Sequence, residues 1–256
     1  SYRNRPIVDT YEPGSTIKSF TAAAVIDSGL FVPTSMFELA PTIEVGGRTI
    51  HESHDRPTVN WSLTEIVTNS SNVGAVVLGM ALGEDDLYAY FSRFGLTEKT
   101  GVDYPGEVKG WLPSTDQWSS SSIGTIPFGQ GISVTPLQLA RALGAIANGG
   151  TLVTPHFLAE VPGDPDAVPE WPTEDGVITP ETAAAMRLVL TDVVNEGTGS
   201  AAAVGGYQVA GKTGTAQKAV PGIGYLSHEF IASFVGFAPV EQPVLVAAVA
   251  IDDPKG

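Results

Sequence analysis

Cysteine is absent from the 256 residues. That excludes disulfides, iron–sulfur clusters and thiolate zinc sites, and it leaves the compartment open, because proteins on either side of a membrane can lack cysteine. Basic residues are scarce: 13 Lys and Arg stand against 28 Asp and Glu, for a formal net charge of −15. A surface of that sign repels nucleic acid and anionic lipid headgroups, so neither is an expected partner. No apolar run approaches the roughly 20 residues that cross a bilayer, and Ser1-Tyr2-Arg3-Asn4 does not begin a signal peptide. Any anchor or leader is therefore expected outside these residues.

What is present is a large apolar fraction, 43%, enough for a sizeable core, whether in one large domain or in two small ones. The run Phe20-Thr21-Ala22-Ala23-Ala24-Val25-Ile26 is apolar on nearly all sides and stops at Gly29, the pattern of a buried helix. Residues 41–52 alternate around Gly46-Gly47 and read as a short hairpin. Ser62-Leu63-Thr64-Glu65 is a capping box opening a short helix. A second apolar helix is expected over Val73 to Leu82, ending at Gly83.

Glu84-Asp85-Asp86 suit the first turn of a helix carrying Leu87, Tyr90, Phe91 and Phe94. The segment from Gly95 to Phe128 reads as a long loop, while Thr135-Pro136 and Thr179-Pro180 each open a further helix. Between those two helices, residues 161–176 read as a surface excursion. Tyr207–Ala210, Phe230–Phe237 and Val244–Ile251 then read as an antiparallel meander. Helices in the middle and strands at the end make the chain α+β.

Three polar groupings interrupt this apolar pattern. Ser15 and Lys18, in Glu12-Pro13-Gly14-Ser15-Thr16-Ile17-Lys18, share one helical face, so the lysine can reach the serine hydroxyl. Such a lysine acts as a base only if burial or a nearby cation drives it toward the neutral amine. Ser-x-x-Lys alone is expected about once by chance in a chain of this size. Asn69-Ser70-Ser71-Asn72, between two apolar helices, and Lys212-Thr213-Gly214, near the end, follow it in order.

Other groupings read as bystanders. Lys99-Thr100-Gly101 repeats the letters of the third motif but follows a helix end and leads into a turn. Gly206 to Thr213 satisfies the letters of a phosphate-binding loop, with Val244 to Asp252 as the matching apolar strand ending in Asp. A phosphate loop needs a strand before its first glycine and a helix after Lys-Thr. Here a strand falls inside the loop, and Gly214, Pro221, Gly222 and Gly224 prevent the helix. His51-Glu52-Ser53-His54 lacks the spacing of zinc proteases and reads as an exposed polar turn rather than a metal site. Gly197-Thr198-Gly199-Ser200 reads as a helix C-cap and loop.

Ser-x-x-Lys, Ser-x-Asn and Lys-Thr-Gly in this order resemble the signature of the penicillin-recognising serine acyl-transferases and β-lactamases. The words Tyr11 to Thr16, Ser70 to Gly74, Gly129 to Gln138 and Ala210 to Gln217 look like class B penicillin-binding proteins. The likeness runs from about Arg5 to Gly256. It implies a penicillin-binding/β-lactamase-like transpeptidase fold, an antiparallel sheet packed with helices plus a mostly helical subdomain. In that family strands precede the nucleophile turn and a strand and helix follow the Asp-Asp-Pro-Lys-Gly region, so residues 1–256 are expected to be one transpeptidase domain shortened at both ends.

The resemblance also implies a chemistry. Ser15 would attack a D-Ala-D-Ala stem peptide of peptidoglycan, with Lys18 as base, Ser70 as proton relay, Asn72 holding Lys18 and the substrate amide, and Lys212 supplying a cation. Thr213, Gly214 and Thr215 would bind substrate, and the N–H groups of Ser15 and Thr215 would form the oxyanion hole. β-Lactams would acylate Ser15, and no cofactor or metal enters the scheme. Cell-wall synthesis membrane proteins are the expected partners, at the extracytoplasmic face of the bacterial cytoplasmic membrane. A carboxypeptidase, a β-lactamase and a β-lactam sensor that acylates without turnover are the alternatives.

Overall fold

The computed structural model describes residues 3–220 and 224–255. Helix α1 (Arg5–Val8) leads to a 3-10 turn, Gly14–Ile17, which runs directly into α2 (Lys18–Asp27). Four short strands follow: β1 (Met36–Leu39), β2 (Thr42–Val45), β3 (Arg48–His51) and β4 (Val59–Ser62). They pair antiparallel as β1 with β4 and β2 with β3. Gly46 and Gly47 turn the β2–β3 hairpin with φ of 55° and 77°, the left-handed conformation this type of turn demands.

Local sequence sets the helix ends. At α3 (Leu63–Thr68), Glu65 N–H donates to Ser62 Oγ while Ser62 N–H donates back to the Glu65 carboxylate, a complete capping box. Ser71 caps α4 (Asn72–Leu82) by accepting from Gly74 N–H, and Gly83 ends it. Helix α5 (Glu84–Arg93) carries its three acids in the first turn, and Phe94 is its C-cap. Gly95 to Phe128 contains 3-10 turns but no α-helix or paired strand of its own. A second capping box, Thr135 with Gln138, starts α6 (Pro136–Ala147). Strands β5 (Leu152–Val153) and β6 (Thr173–Glu174) pair briefly, and α7 (Pro180–Asn195) starts on Thr179.

The chain closes in a meander, β7 (Ala210–Val220), β8 (Gly224–Ala238) and β9 (Leu245–Asp252), antiparallel and in sequential order. Helices α6 and α7 pack against it. Its first strand corrects the sequence reading. Tyr207, 63% exposed, belongs to a turn after Gly205-Gly206, and the strand begins at Ala210 and carries Lys212 to Thr215 within it. The cause is visible in β7 itself: Lys212, Gly214 and Ala216 are buried on one face, while on the other Thr213 and Gln217 are half-buried and Thr215 is exposed. Such a strand is nearly all small or polar, so it lacks the apolar alternation that betrays β8. Because β7 continues as strand through Val220, no helix follows Lys212-Thr213, and the phosphate-loop reading falls; Pro221 and Gly222 lie outside the described residues.

Helix α2 lies at the centre of the helical layer, packed against α3, α4, α5 and α7. Phe20, Ala22, Ala23, Ala24 and Val25 are all fully buried, which explains why it has no polar face. The core continues through Leu63, Leu78, Phe91, Leu143, Met186 and Leu190 to Val235 and Phe237 of the sheet.

Candidate active site

Ser15 sits in the 3-10 turn, where residues three apart eclipse one another, so it stands directly over Lys18. Thr16 Oγ1 donates to Pro13 O at 2.9 Å and locks the turn. Three glycines let other segments close around it. Gly14 has φ of +54°, and Gly14 N–H donates to Gly129 O at 3.2 Å. A Cβ at Gly129 would stand 2.1 Å from Gly14 O, and one at Gly214 would stand 2.7 Å from Pro13 O. The turn, the loop before α6 and β7 therefore meet at backbone distance, with Thr215 O beside Gly14.

Lys18 is 1% exposed, at the base of this arrangement. Its Nζ donates to Ser70 O, to Asn72 Oδ1 at 2.7 Å and to Ser70 Oγ at 3.2 Å. Asn72 is itself tied down, its Nδ2 donating to His51 O at 2.9 Å. Ser70 has φ of +58°, rare for a residue with a side chain, and in that conformation it presents both carbonyl and hydroxyl to one amine. Burial drives the Lys18 proton affinity well below that of a free lysine; the Lys212 charge pushes the same way, and Glu52 opposes both.

Lys212 is the second buried amine, 0% exposed. Burial brings its pKa down to about 7. Its Nζ donates to Thr198 Oγ1 and Thr213 O, each at 3.3 Å, and to Thr213 Oγ1 at 3.4 Å. Thr213 Oγ1 also bonds Thr198 Oγ1 at 2.9 Å. The result is a gradient of exposure: two buried amines, then half-buried Ser15, Ser70, Asn72 and Thr213, then exposed Thr215. A partly exposed hydroxyl one 3-10 turn ahead of a buried amine of lowered basicity is the arrangement that a nucleophile and its base require.

Residues 1–256 match the penicillin binding protein transpeptidase domain. The chain belongs to that family. Penicillin-binding protein PbpB of Mycolicibacterium smegmatis is 37% identical over 98% of this chain, and stage V sporulation protein D of Bacillus subtilis is 42% identical over 99%. The chain spans 40% of the length of each. The crystal structure of penicillin-binding protein 3 from Mycobacterium tuberculosis, complexed with aztreonam, superposes with a TM-score of 0.92 at 35% identity, covering 99% of this chain and 59% of that one. This transpeptidase domain thus has the α+β penicillin-binding fold that its motifs imply.

Within the transpeptidase domain, Lys18, Ser70 and Asn72 are in direct contact, Ser15 is one turn ahead of Lys18, and Lys212 to Thr215 border the same turn. Gly214 has a packing reason for its identity, since its missing side chain is what lets β7 touch Pro13. Two sequence readings need correction. His51, Ser53 and His54 are exposed, but Glu52 is not: its side chain is 7% exposed and engaged with Arg56, Ser71 and Asn72. Gly197-Thr198-Gly199 is more than a helix end, because Thr198 binds both Lys212 and Thr213. A Cβ at Gly197 would stand 2.4 Å from Thr68 O, so only glycine brings Thr198 this close to the end of α3. Neither signal was local, since Glu52 acts on residues 19 and 20 positions away and Thr198 on one 14 away.

Proposed function

We propose that this domain is a peptidoglycan D,D-transpeptidase in which Ser15 attacks the D-Ala-D-Ala end of a stem peptide. The bond between the two D-alanines breaks, the acyl group passes to Ser15 Oγ, and D-Ala leaves with the proton that Ser15 gives up. Lys18 takes that proton as its neutral amine, and Ser70, in contact with it, hands a proton toward the leaving nitrogen. Asn72 holds Lys18 and offers its second amide hydrogen to substrate. An amine from a neighbouring stem peptide then takes the acyl group and completes the cross-link.

Lys212, with Thr213 and Thr215 above it, would receive the substrate's terminal carboxylate. An incoming anion raises the proton affinity of Lys212 and so keeps it an ammonium when substrate is bound. The backbone N–H groups of Ser15 and Thr215 would form the oxyanion hole, where losing one donor typically costs about 2.7–4 kcal/mol. β-Lactams would enter as strained mimics of the donor and stop at the acyl-enzyme. The observation carrying this reading is the fully buried Lys18 amine, gripped by Ser70 and Asn72 one helical turn beneath Ser15.

A cross-linking enzyme of the wall must meet its substrate outside the cytoplasmic membrane. The full-length protein is therefore placed on that face, anchored by a segment outside this chain and working beside other membrane proteins of wall synthesis. Intact-mass measurement after penicillin treatment tests the nucleophile: one adduct is expected on the native protein and none on Ser15→Ala, and an adduct surviving in the variant would refute the assignment. A thioester donor with a D-amino acid acceptor tests the transfer. Aminolysed product supports the transpeptidase, whereas hydrolysis alone makes the domain a carboxypeptidase.

A further inference from the structure

Glu52 lies just past β3, outside all three motifs, yet it is tied directly to the second of them. Its Oε1 accepts from Ser71 Oγ at 2.5 Å, and its Oε2 accepts from Asn72 N–H at 2.6 Å. One carboxylate thus holds the cap and the first residue of α4, the residue whose Oδ1 grips Lys18. The neighbouring His51 carbonyl holds the same asparagine from the other side. Glu52 is itself fixed, because Arg56 donates to Oε1 at 2.6 Å and to Leu39 O at 2.8 Å. The Arg56 guanidinium also lies 5.0 Å from the Trp61 ring centroid, so the assembly is anchored in the β1–β4 layer.

Such burial is costly unless the carboxylate is paired and its lone pairs are filled, and here both conditions hold. A capping residue needs neither the charge nor the arginine, since Ser71 alone already caps α4 through Gly74 N–H. What the charge adds is an anion acting on the buried Lys18 amine. The charged groups acting on Lys18 are Lys212 from β7 and Glu52 from the end of β3, with Arg56 behind Glu52; Ser70 and Asn72, its direct contacts, do not titrate.

We infer that Glu52 is a positioning residue for acyl transfer: it fixes Ser71 and Asn72 against Lys18, and its negative charge offsets Lys212 so that Lys18 remains basic enough to accept the Ser15 proton. This rests on the reading of Ser15 and Lys18 given above. Without the anion, burial and Lys212 act on Lys18 unopposed, and the unpaired Arg56 acts in the same direction. The amine becomes a weaker base that is neutral at lower pH.

The test is the pH dependence of the second-order rate at which full-length protein is acylated by a fluorescent penicillin, for wild type, Glu52→Gln and Glu52→Asp. Wild type is expected to show an acid limb that rises as Lys18 loses its proton. In Glu52→Gln that limb moves to lower pH by about half a unit or more, with a lower plateau because the base is weaker. In Glu52→Asp the charge is kept and only its reach is shortened, so the plateau falls about tenfold or less while the limb stays near its wild-type position. A merely structural role would lower both plateaux and move neither limb, and that result overturns the inference, as does a wild type without an acid limb. Absence of any wild-type adduct on Ser15 would instead refute the acyl-transfer reading, and this inference with it.

Discussion

Lys-Thr-Gly occurs twice in this chain, and the two copies live in opposite surroundings. Lys212 is fully buried, whereas Lys99 is exposed. Thr213 is half-buried and faces Thr198, while Thr100 is buried and turned to Glu107, which accepts its N–H at 2.7 Å. Gly101 has φ of +79° in an open turn, where a Cβ would meet only Thr154 Cγ2 at 3.6 Å. Gly214 has extended backbone and is boxed in by Pro13 O and Ser233 Oγ. Three identical letters therefore carry no chemistry by themselves. The strand supplies it: alternation along β7 sends lysine toward the buried amine of Lys18 and leaves threonine at the rim.

The largest effect that could break this contrast is loss of the lysine. Lys212→Ala should slow acylation of Ser15 by about 10²–10³-fold, the range for removing one preorganised electrostatic group. Lys99→Ala should leave the rate within about twofold, as expected of a surface change far from the site. Rates with a fluorescent penicillin measure both, and the reverse ranking would move the third motif to the loop. The glycines sharpen the comparison. Gly214→Ala forces β7 away from the turn that carries Ser15, and a displacement of this kind can cost about 10²-fold in rate. Gly101→Ala strains a left-handed residue by about 1–2 kcal/mol and should lower thermal stability without touching acylation.

The same contrast explains what could be read in the chain beforehand. Helix starts and the hairpin turn were legible because their causes are adjacent in sequence: Ser62 with Glu65, Thr135 before Pro136, Thr179 before Pro180, and Gly46-Gly47 between β2 and β3. The motif residues were legible because a serine and a lysine one turn apart, followed by two polar trios, form a combination far rarer than its parts. Strand β7 was obscured by the polar and small residues of its Lys-Thr-Gly-Thr segment, which replaced its apolar alternation. Glu52 and Thr198 were hidden for another reason. Each looks like an ordinary turn residue until α4 and β7 are folded against it.

The smallest expected effect is the most specific to the buried copy. Burial sets the Lys212 pKa at about 7, so in the free protein it is an ammonium below that pH and an amine above it. A ligand held through its carboxylate needs the ammonium. The second-order acylation rate for a penicillin should therefore fall above pH 7 by about tenfold per unit, as expected where a free-protein group must be protonated. The limb expected from Lys18 as the proposed base runs the other way, because a base must lose its proton to act, and the two together give a bell. Esterifying the penicillin carboxylate removes the group that Lys212 answers to, so the ester should react more slowly but without the alkaline fall. Lys99→Ala should leave the bell in place. An alkaline limb that survived esterification would belong to a group other than Lys212, and the buried Lys-Thr-Gly would then lose its role as the carboxylate site.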